Sequence, residues 1–596
     1  MDYQNRNEVE ELFKWDLTQL YQNNEEFEKD FQKVKRRINK ILTFKGQLLK
    51  NAENLLNALD TYFITWNNIL KLNVYANTKF DEDVGSSDYA LLVSRVGALY
   101  SKLMQNASFM DPEILKGNKT VLNRLIKDKK LAKYQFYLTD LIRYQDHTLN
   151  ENEEIIVAKL TESMDNFEKI NSVLTNSTLD YGTVMIDGVK TTITNGNYRT
   201  LMMNPNREVR KEVYEKHFQK LKEFENTFAL SLSAYMKSAN YVANIRGFKD
   251  LLTKNLFGSN IPKAVYTNLF KTTESRVDVY QKYFKMIQKT LGLEKLEYYD
   301  INTELVDEDL SFTIEETRLL LEKSLAILGE DYLKIISKAF DERWIDFGTY
   351  KGKAAGAYCI STYGVHPYVL TNFRGRFKDV STIAHELGHA VNGYLSMATN
   401  DIHNYHGGIF LAEVASLTNE ILLSYYIMTH SNDDVLKLTA IYNLLFIIQN
   451  NLFDACIEGK LEQVVYENFD LGEEIGVTML NETIYQIREQ YVGTAIVLDD
   501  NVKSSWTKRI HYFMPYYLFK YATGISAAVY IAKKIINDEE NMKEKYLKFL
   551  TKGSTNYPTE ILKEIGVDMT KPKVINEAID FMDYLIDEFN KISEEI

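Results

Sequence analysis

The chain has 596 residues, a net charge of −13 and 45% hydrophobic residues, enough apolar material for one large fused body or two to three domains. Its two cysteines, Cys359 and Cys456, exclude a disulfide framework and fit a reducing cytoplasm. Charges of both signs are mixed along the chain. The densest basic run, Lys33-Val34-Lys35-Arg36-Arg37, is flanked by acids and carries a helical apolar face, which argues against nucleic acid as a partner.

From the N-terminus, Met1 to Trp15 is charged and lacks the apolar core of a secretory signal. Phe27, Phe31, Val34, Ile38 and Ile41 mark an amphipathic helix, and similar patterns continue to about residue 180. Val184 to Thr191 reads as a β-hairpin turning at Asp187-Gly188. Asn204-Pro205 then opens a helical run expected to reach about residue 245. A soft boundary near 200 separates an N-terminal helical region, 1–200, from the region carrying the chemistry, 201–596. Proline is absent from 113–204, 263–366 and 368–514, which suits long helices and excludes a turn-rich sandwich or barrel. The fold class is mostly α. Gly356 to Phe373, rich in Tyr, Val, Ile and Thr, reads as one or two strands, whose edge would suit an extended peptide. No segment of ~18 uninterrupted apolar residues predicts a membrane span. Gly407–Met428 comes nearest, broken by Glu413 and Glu420.

The decisive motif is His385-Glu386-Leu387-Gly388-His389. Residues i and i+4 of a helix share a face, so both imidazoles can bind one Zn²⁺, with Glu386 beside the metal as the base that deprotonates water. This composition predicts roughly 0.02 chance occurrences of the pattern. Ile383, Leu387, Ala390 and Tyr394 form an apolar stripe beside the histidines, and Asp379 and Ser381 are candidate N-caps. A catalytic zinc takes a third protein ligand. Asn392 and Leu395 stand where the longer metzincin motif needs Gly and His, which excludes that class. Glu413 and Glu420, seven apart in an apolar helix, are the next candidates; a metal for Glu413 and a ligand histidine for Glu420 would satisfy both carboxylates. His403 and His406 read as loop or substrate-cleft residues, and Cys359 as a small packing residue.

The HELGHA segment, preceded by GAYCISTYGVHPYVLTNF and followed by FLAEVASLTNE, resembles the oligoendopeptidase F family of thimet-oligopeptidase-like zinc peptidases. WDLTQLY, the region around Arg210, Arg246-Gly247-Phe248 and KYATGISAA extend the resemblance along nearly the whole chain. It implies one zinc per chain on His385, His389 and Glu413, Glu386 as general base, and a two-lobed helical body with a deep channel. It also implies a cytoplasmic enzyme cleaving short peptides. The family's oxyanion donors, a His and a Tyr, correspond to His511 and Tyr516, with Tyr517 in reserve because Phe519 departs from the family pattern. Two rivals are a zinc carboxypeptidase, which needs a fixed cation for the substrate's terminal carboxylate, and a peptide-binding protein with a structural zinc. Glu386 argues against the latter, since a structural site has no use for a base.

Overall fold

Asn23 starts the first long helix of the computed structural model, which describes residues 2–306 and 310–595. Its side chain accepts the Glu26 N–H, satisfying a free donor of the first turn, and α1 (Asn24–Lys40) follows. Phe27, Phe31, Val34 and Ile38 are buried along one face, with Ile41 just beyond it, as their spacing predicts. They share a core with α2 (Ala52–Glu82) and α3 (Ser87–Ala107), where Leu59, Leu72, Val96 and Leu103 are buried.

That core lies in the first of two compact units, made of Met1–Thr148, Leu310–Tyr426 and Ile531–Ile565. The second unit is Leu149–Asp309, Ile427–Tyr530 and Gly566–Ile596. Each is assembled from separated stretches of chain, and residue 200 lies inside the second unit.

In the first unit, β1 (Ile345–Asp346), β2 (Tyr358–Ile360) and β3 (Tyr368–Leu370) form a three-stranded sheet with β3 in the centre. Val369 is opposite Ile345 in the parallel pair and opposite Cys359 in the antiparallel pair. The segment 356–373 thus supplies two strands. Tyr368, Val369 and Leu370 are fully buried, which suits aromatic and branched side chains on a central strand. The outer strand β2 lies against α4 (Phe377–Thr399).

In the second unit, Thr183–Ile186 and Val189–Thr192 pair as the expected hairpin. Asp187 and Gly188 take φ values of 50° and 81°, the left-handed pair a tight two-residue turn requires. The run after Pro205 is not one helix, as the sequence suggests, but two, Arg207–Lys222 and Glu225–Ile245. Asn206 takes the cap by accepting the Glu208 N–H, leaving Pro205 outside, and Phe224 departs from helical geometry between the two. The helical run Asp434–Asp470 is long and apolar enough to cross a membrane by length and composition, and 61% of its most apolar window is buried within the protein, as in a core helix. Gly407–Met428 corresponds to α5 (Ile409–His430), whose residues 410–424 are mostly buried.

Candidate active site

The first turn of α4 is set by Asp379, whose carboxylate accepts the backbone N–H groups of Arg374 at 2.8 Å and Arg376 at 3.1 Å. The helix therefore begins at Phe377, and Asp379 acts from inside the first turn. Ser381, the other expected cap, is engaged elsewhere, its hydroxyl donating to Glu420 Oε2 at 2.7 Å. Ile383, Leu387 and Ala390 are fully buried, so the apolar stripe anchors the helix. His385 and His389 are only half-buried.

Gly388 faces α5 at backbone contact. A Cβ there would stand 2.5 Å from Ser416 Cα and 2.8 Å from the Ala415 carbonyl oxygen. The Asn419 amide donates to the Ala384 carbonyl at 3.1 Å and its oxygen accepts the Tyr332 hydroxyl at 2.7 Å, both inside the core. These contacts fix α5 against α4 and bring Glu413 and Glu420 to the two histidines.

The result is a compact donor set. Ligand atoms of His385, His389 and Glu413 all lie within 4.8 Å of one another. His385 Nε2 is 3.2 Å from His389 Nε2 and 3.7 Å from Glu413 Oε2. On the other side of the His385 ring, Nδ1 meets Glu420 Oε1 at 2.7 Å, leaving Nε2 to face the shared space. Burial works against a charged His385, but the Glu420, Glu386 and Glu413 carboxylates outweigh it and raise its pKa to about 9. Burial and the His385 charge push His389 down to about 3. Burial, helped by Glu413 and Glu420 and opposed by His385, raises Glu386 to about 7. Burial likewise raises Glu413. Three carboxylates crowded on two imidazoles repel one another unless a cation stands between them, which fits the donor set to a metal ion.

Other site candidates fall elsewhere. His403 packs with Phe63 and Tyr134 and its Nε2 lies 2.9 Å from the Lys133 carbonyl oxygen, a packing role within the first unit. His406 is exposed against Tyr405. Cys359, on β2, has its thiol pKa pushed well up by burial and by the nearby Glu386 charge.

His511 and Tyr516 belong to the second unit. Tyr516 is buried, with φ 51°, between the rings of Tyr266 and Tyr466, and its N–H donates to Glu462 Oε1 at 2.6 Å. His511 stacks on Tyr517, centroids 5.8 Å apart, and its Nε2 lies 3.4 Å from the Tyr521 hydroxyl. Both of these tyrosines are half-buried. Sequence reasoning overlooks Tyr521, which stands ten residues after His511 in a segment crowded with tyrosines. It also overlooks Gly388, for which the one signal is a glycine inside an otherwise strong helical pattern.

Residues 200–581 match the model of peptidase family M3, and residues 113–181 match that of the oligopeptidase F N-terminal region. The chain is 31% identical to the oligopeptidase PepF of Bacillus subtilis over 590 residues, covering 98% of this chain and 88% of that protein. It is 30% identical to the group B oligopeptidase PepB of Streptococcus agalactiae, covering 96% of each. Among solved structures, oligoendopeptidase-F from Enterococcus faecium is 25% identical with a TM-score of 0.75, covering 96% of this chain and all of that one. With the His-Glu-x-x-His helix, the carboxylates of α5 and these full-length likenesses together, the chain belongs to peptidase family M3, in its oligoendopeptidase F branch, and is a metalloendopeptidase.

Proposed function

We propose that the protein is a zinc-dependent endopeptidase that hydrolyses internal bonds of short peptides. The observation that carries this is the convergence of His385 Nε2, His389 Nε2 and a Glu413 oxygen, with Glu386 one residue from a ligand. Two nitrogens each ~2.05 Å from a tetrahedral zinc would lie ~3.3 Å apart, close to the 3.2 Å between the imidazoles. When bound, zinc supplies Lewis acidity toward water and the scissile carbonyl.

The protein's own groups do the rest. Glu420 holds His385 Nδ1 and so aims Nε2 at the metal position. Glu386, with a pKa raised to about 7, takes a proton from the attacking water and delivers it to the departing amine. His511 is proposed to donate to the oxyanion, with Tyr516, Tyr517 and Tyr521 as its candidate partners. Family membership supports this, and the contacts of His511 with Tyr517 and Tyr521 favour those two over buried Tyr516. The substrate class follows from the relatives named as oligopeptidases.

Glu386→Gln tests the reading. It should retain zinc and bind peptide while turnover falls by ~10²-fold or more. The substrate should be a peptide blocked at both ends, whose products separate internal cleavage from carboxypeptidase action. Near-wild-type turnover in that variant, or no cleavage of the blocked peptide by the wild-type enzyme, would refute it.

A further inference from the structure

Ser381 is a hydroxyl in an apolar stretch of helix. It stands in the second turn of α4, past the first turn that Asp379 caps, where serine is a poorer helix former than alanine. It is 2% exposed, and Val380, Ile383, Ala384 and Leu387 near it are fully buried. Local helix chemistry gives no reason for a hydroxyl at this position, so the reason lies in its partner.

That partner is Glu420, itself buried. Ser381 and His385 are one helical turn apart and share a face of α4. The Glu420 carboxylate spans them, Oε2 accepting the Ser381 hydroxyl at 2.7 Å and Oε1 meeting His385 Nδ1 at 2.7 Å. The Asn419 amide, on the Ala384 carbonyl at 3.1 Å, fixes where α5 crosses α4, but it does not fix the side-chain torsions of Glu420. A carboxylate held at one oxygen alone can turn about that contact. A donor on the other oxygen removes this freedom and keeps Oε1 on the ring.

The same contact separates two glutamates that are alike in sequence. Both reach His385 from α5, Glu413 Oε2 lying 3.7 Å from Nε2 and Glu420 Oε1 lying on Nδ1. Glu420 has both oxygens engaged on α4 and so orients the imidazole, while Glu413 faces the shared donor space. All of these residues belong to the first unit.

We propose that Ser381 is a positioning residue of the metal site, locking Glu420 on His385 so that Nε2 is presented to the metal. The inference rests on the zinc reading above and adds a residue outside both the His-Glu-x-x-His motif and the two carboxylates. Ser381 acts through Glu420 and His385, not on the substrate.

The test is a double-mutant cycle on zinc affinity, read by competition between metal-free protein and a chromophoric chelator. Glu420→Ala should weaken the site ~10–100-fold. Ser381→Ala leaves Glu420 in place with one buried oxygen unpaired, and should weaken it ~3–10-fold. In the Glu420→Ala background, Ser381→Ala should weaken zinc binding no further, because its route to the metal is gone. The double variant is expected to fold, since it leaves neither partner of the buried hydrogen bond unpaired. Circular dichroism melting of the metal-free proteins separates a structural role from a positioning one. Wild-type zinc affinity in Ser381→Ala, with or without a lowered melting temperature, would overturn the proposal and leave the zinc reading standing. An equal loss of affinity from Ser381→Ala with and without Glu420 would overturn it too. A wild-type protein that takes up no zinc would overturn the zinc reading and the proposal with it.

Discussion

Gly388→Ala probes the point where packing and chemistry meet. The added Cβ would lie 2.5 Å from Ser416 Cα, 2.9 Å from Ser416 N and 2.8 Å from the Ala415 oxygen. All three are backbone atoms of α5, so no side-chain rotation clears the clash. Carbon atoms rest at ~3.5–4.0 Å, so the two helices must part by about 1 Å. Ser416 is one turn from Glu413 and its hydroxyl donates to the Glu413 carbonyl at 3.1 Å, so the shift is transmitted to the donor carboxylate. Metal sites tolerate ligand displacements of only ~0.2 Å. Overpacking costs about 1–3 kcal/mol, and alanine's better helix propensity offsets at most about 1 kcal/mol of it. The expected outcome is a modest fall in the melting temperature of the metal-free protein with a loss of at least ~10-fold in zinc affinity. Competition with a chromophoric chelator measures the second, and circular dichroism melting the first. Wild-type zinc affinity in Gly388→Ala would show that the close approach of α5 does not position Glu413.

Metal analysis of Glu413→Ala and Glu420→Ala should show near-complete zinc loss in the former and a ~10–100-fold weaker site in the latter, because Glu420 orients His385 without facing the shared donor space; equal retention by Glu413→Ala would remove it from the ligand set. Steady-state kinetics of His511→Ala, Tyr516→Phe, Tyr517→Phe and Tyr521→Phe should show the largest fall in kcat, with little change in KM, for His511 and whichever of the tyrosines acts in the transition state; a wild-type kcat in His511→Ala would end that assignment. Glu462 is 2% exposed, and burial, opposed by the Tyr516 N–H and Lys520, raises its pKa from 4.5 to about 8. Between those values the folded chain holds a proton that the unfolded chain has lost, so this group's contribution to stability is present below about pH 4.5 and is lost as pH rises toward 8. Glu462→Gln should flatten that slope in denaturant titrations from pH 5 to 8, and an unchanged slope would contradict a raised pKa.

Local rules determine much of this protein. Amphipathic spacing locates α1, the Asp-Gly turn locates the hairpin, and the strand-rich segment ahead of α4 becomes β2 and β3, because each depends on residues a few positions apart. His385, Glu386 and His389 are legible for the same reason, since one helical turn sets their geometry. The spacing of Glu413 and Glu420 marks both as needing partners, yet only the crossing of α5 over α4, through Gly388 and Asn419, sets Glu420 on His385 Nδ1 and Glu413 beside Nε2. The caps are only partly legible because Ser381 is claimed by a carboxylate 39 residues away, a contact no local pattern encodes. In sequence Tyr516 is like any other tyrosine of its segment; the fold puts its amide on Glu462 and its ring in the core. Sequence determines what a residue can do within its own turn or strand; which distant group it meets, and so whether it is ligand, orienter or packing, is decided by the tertiary fold alone.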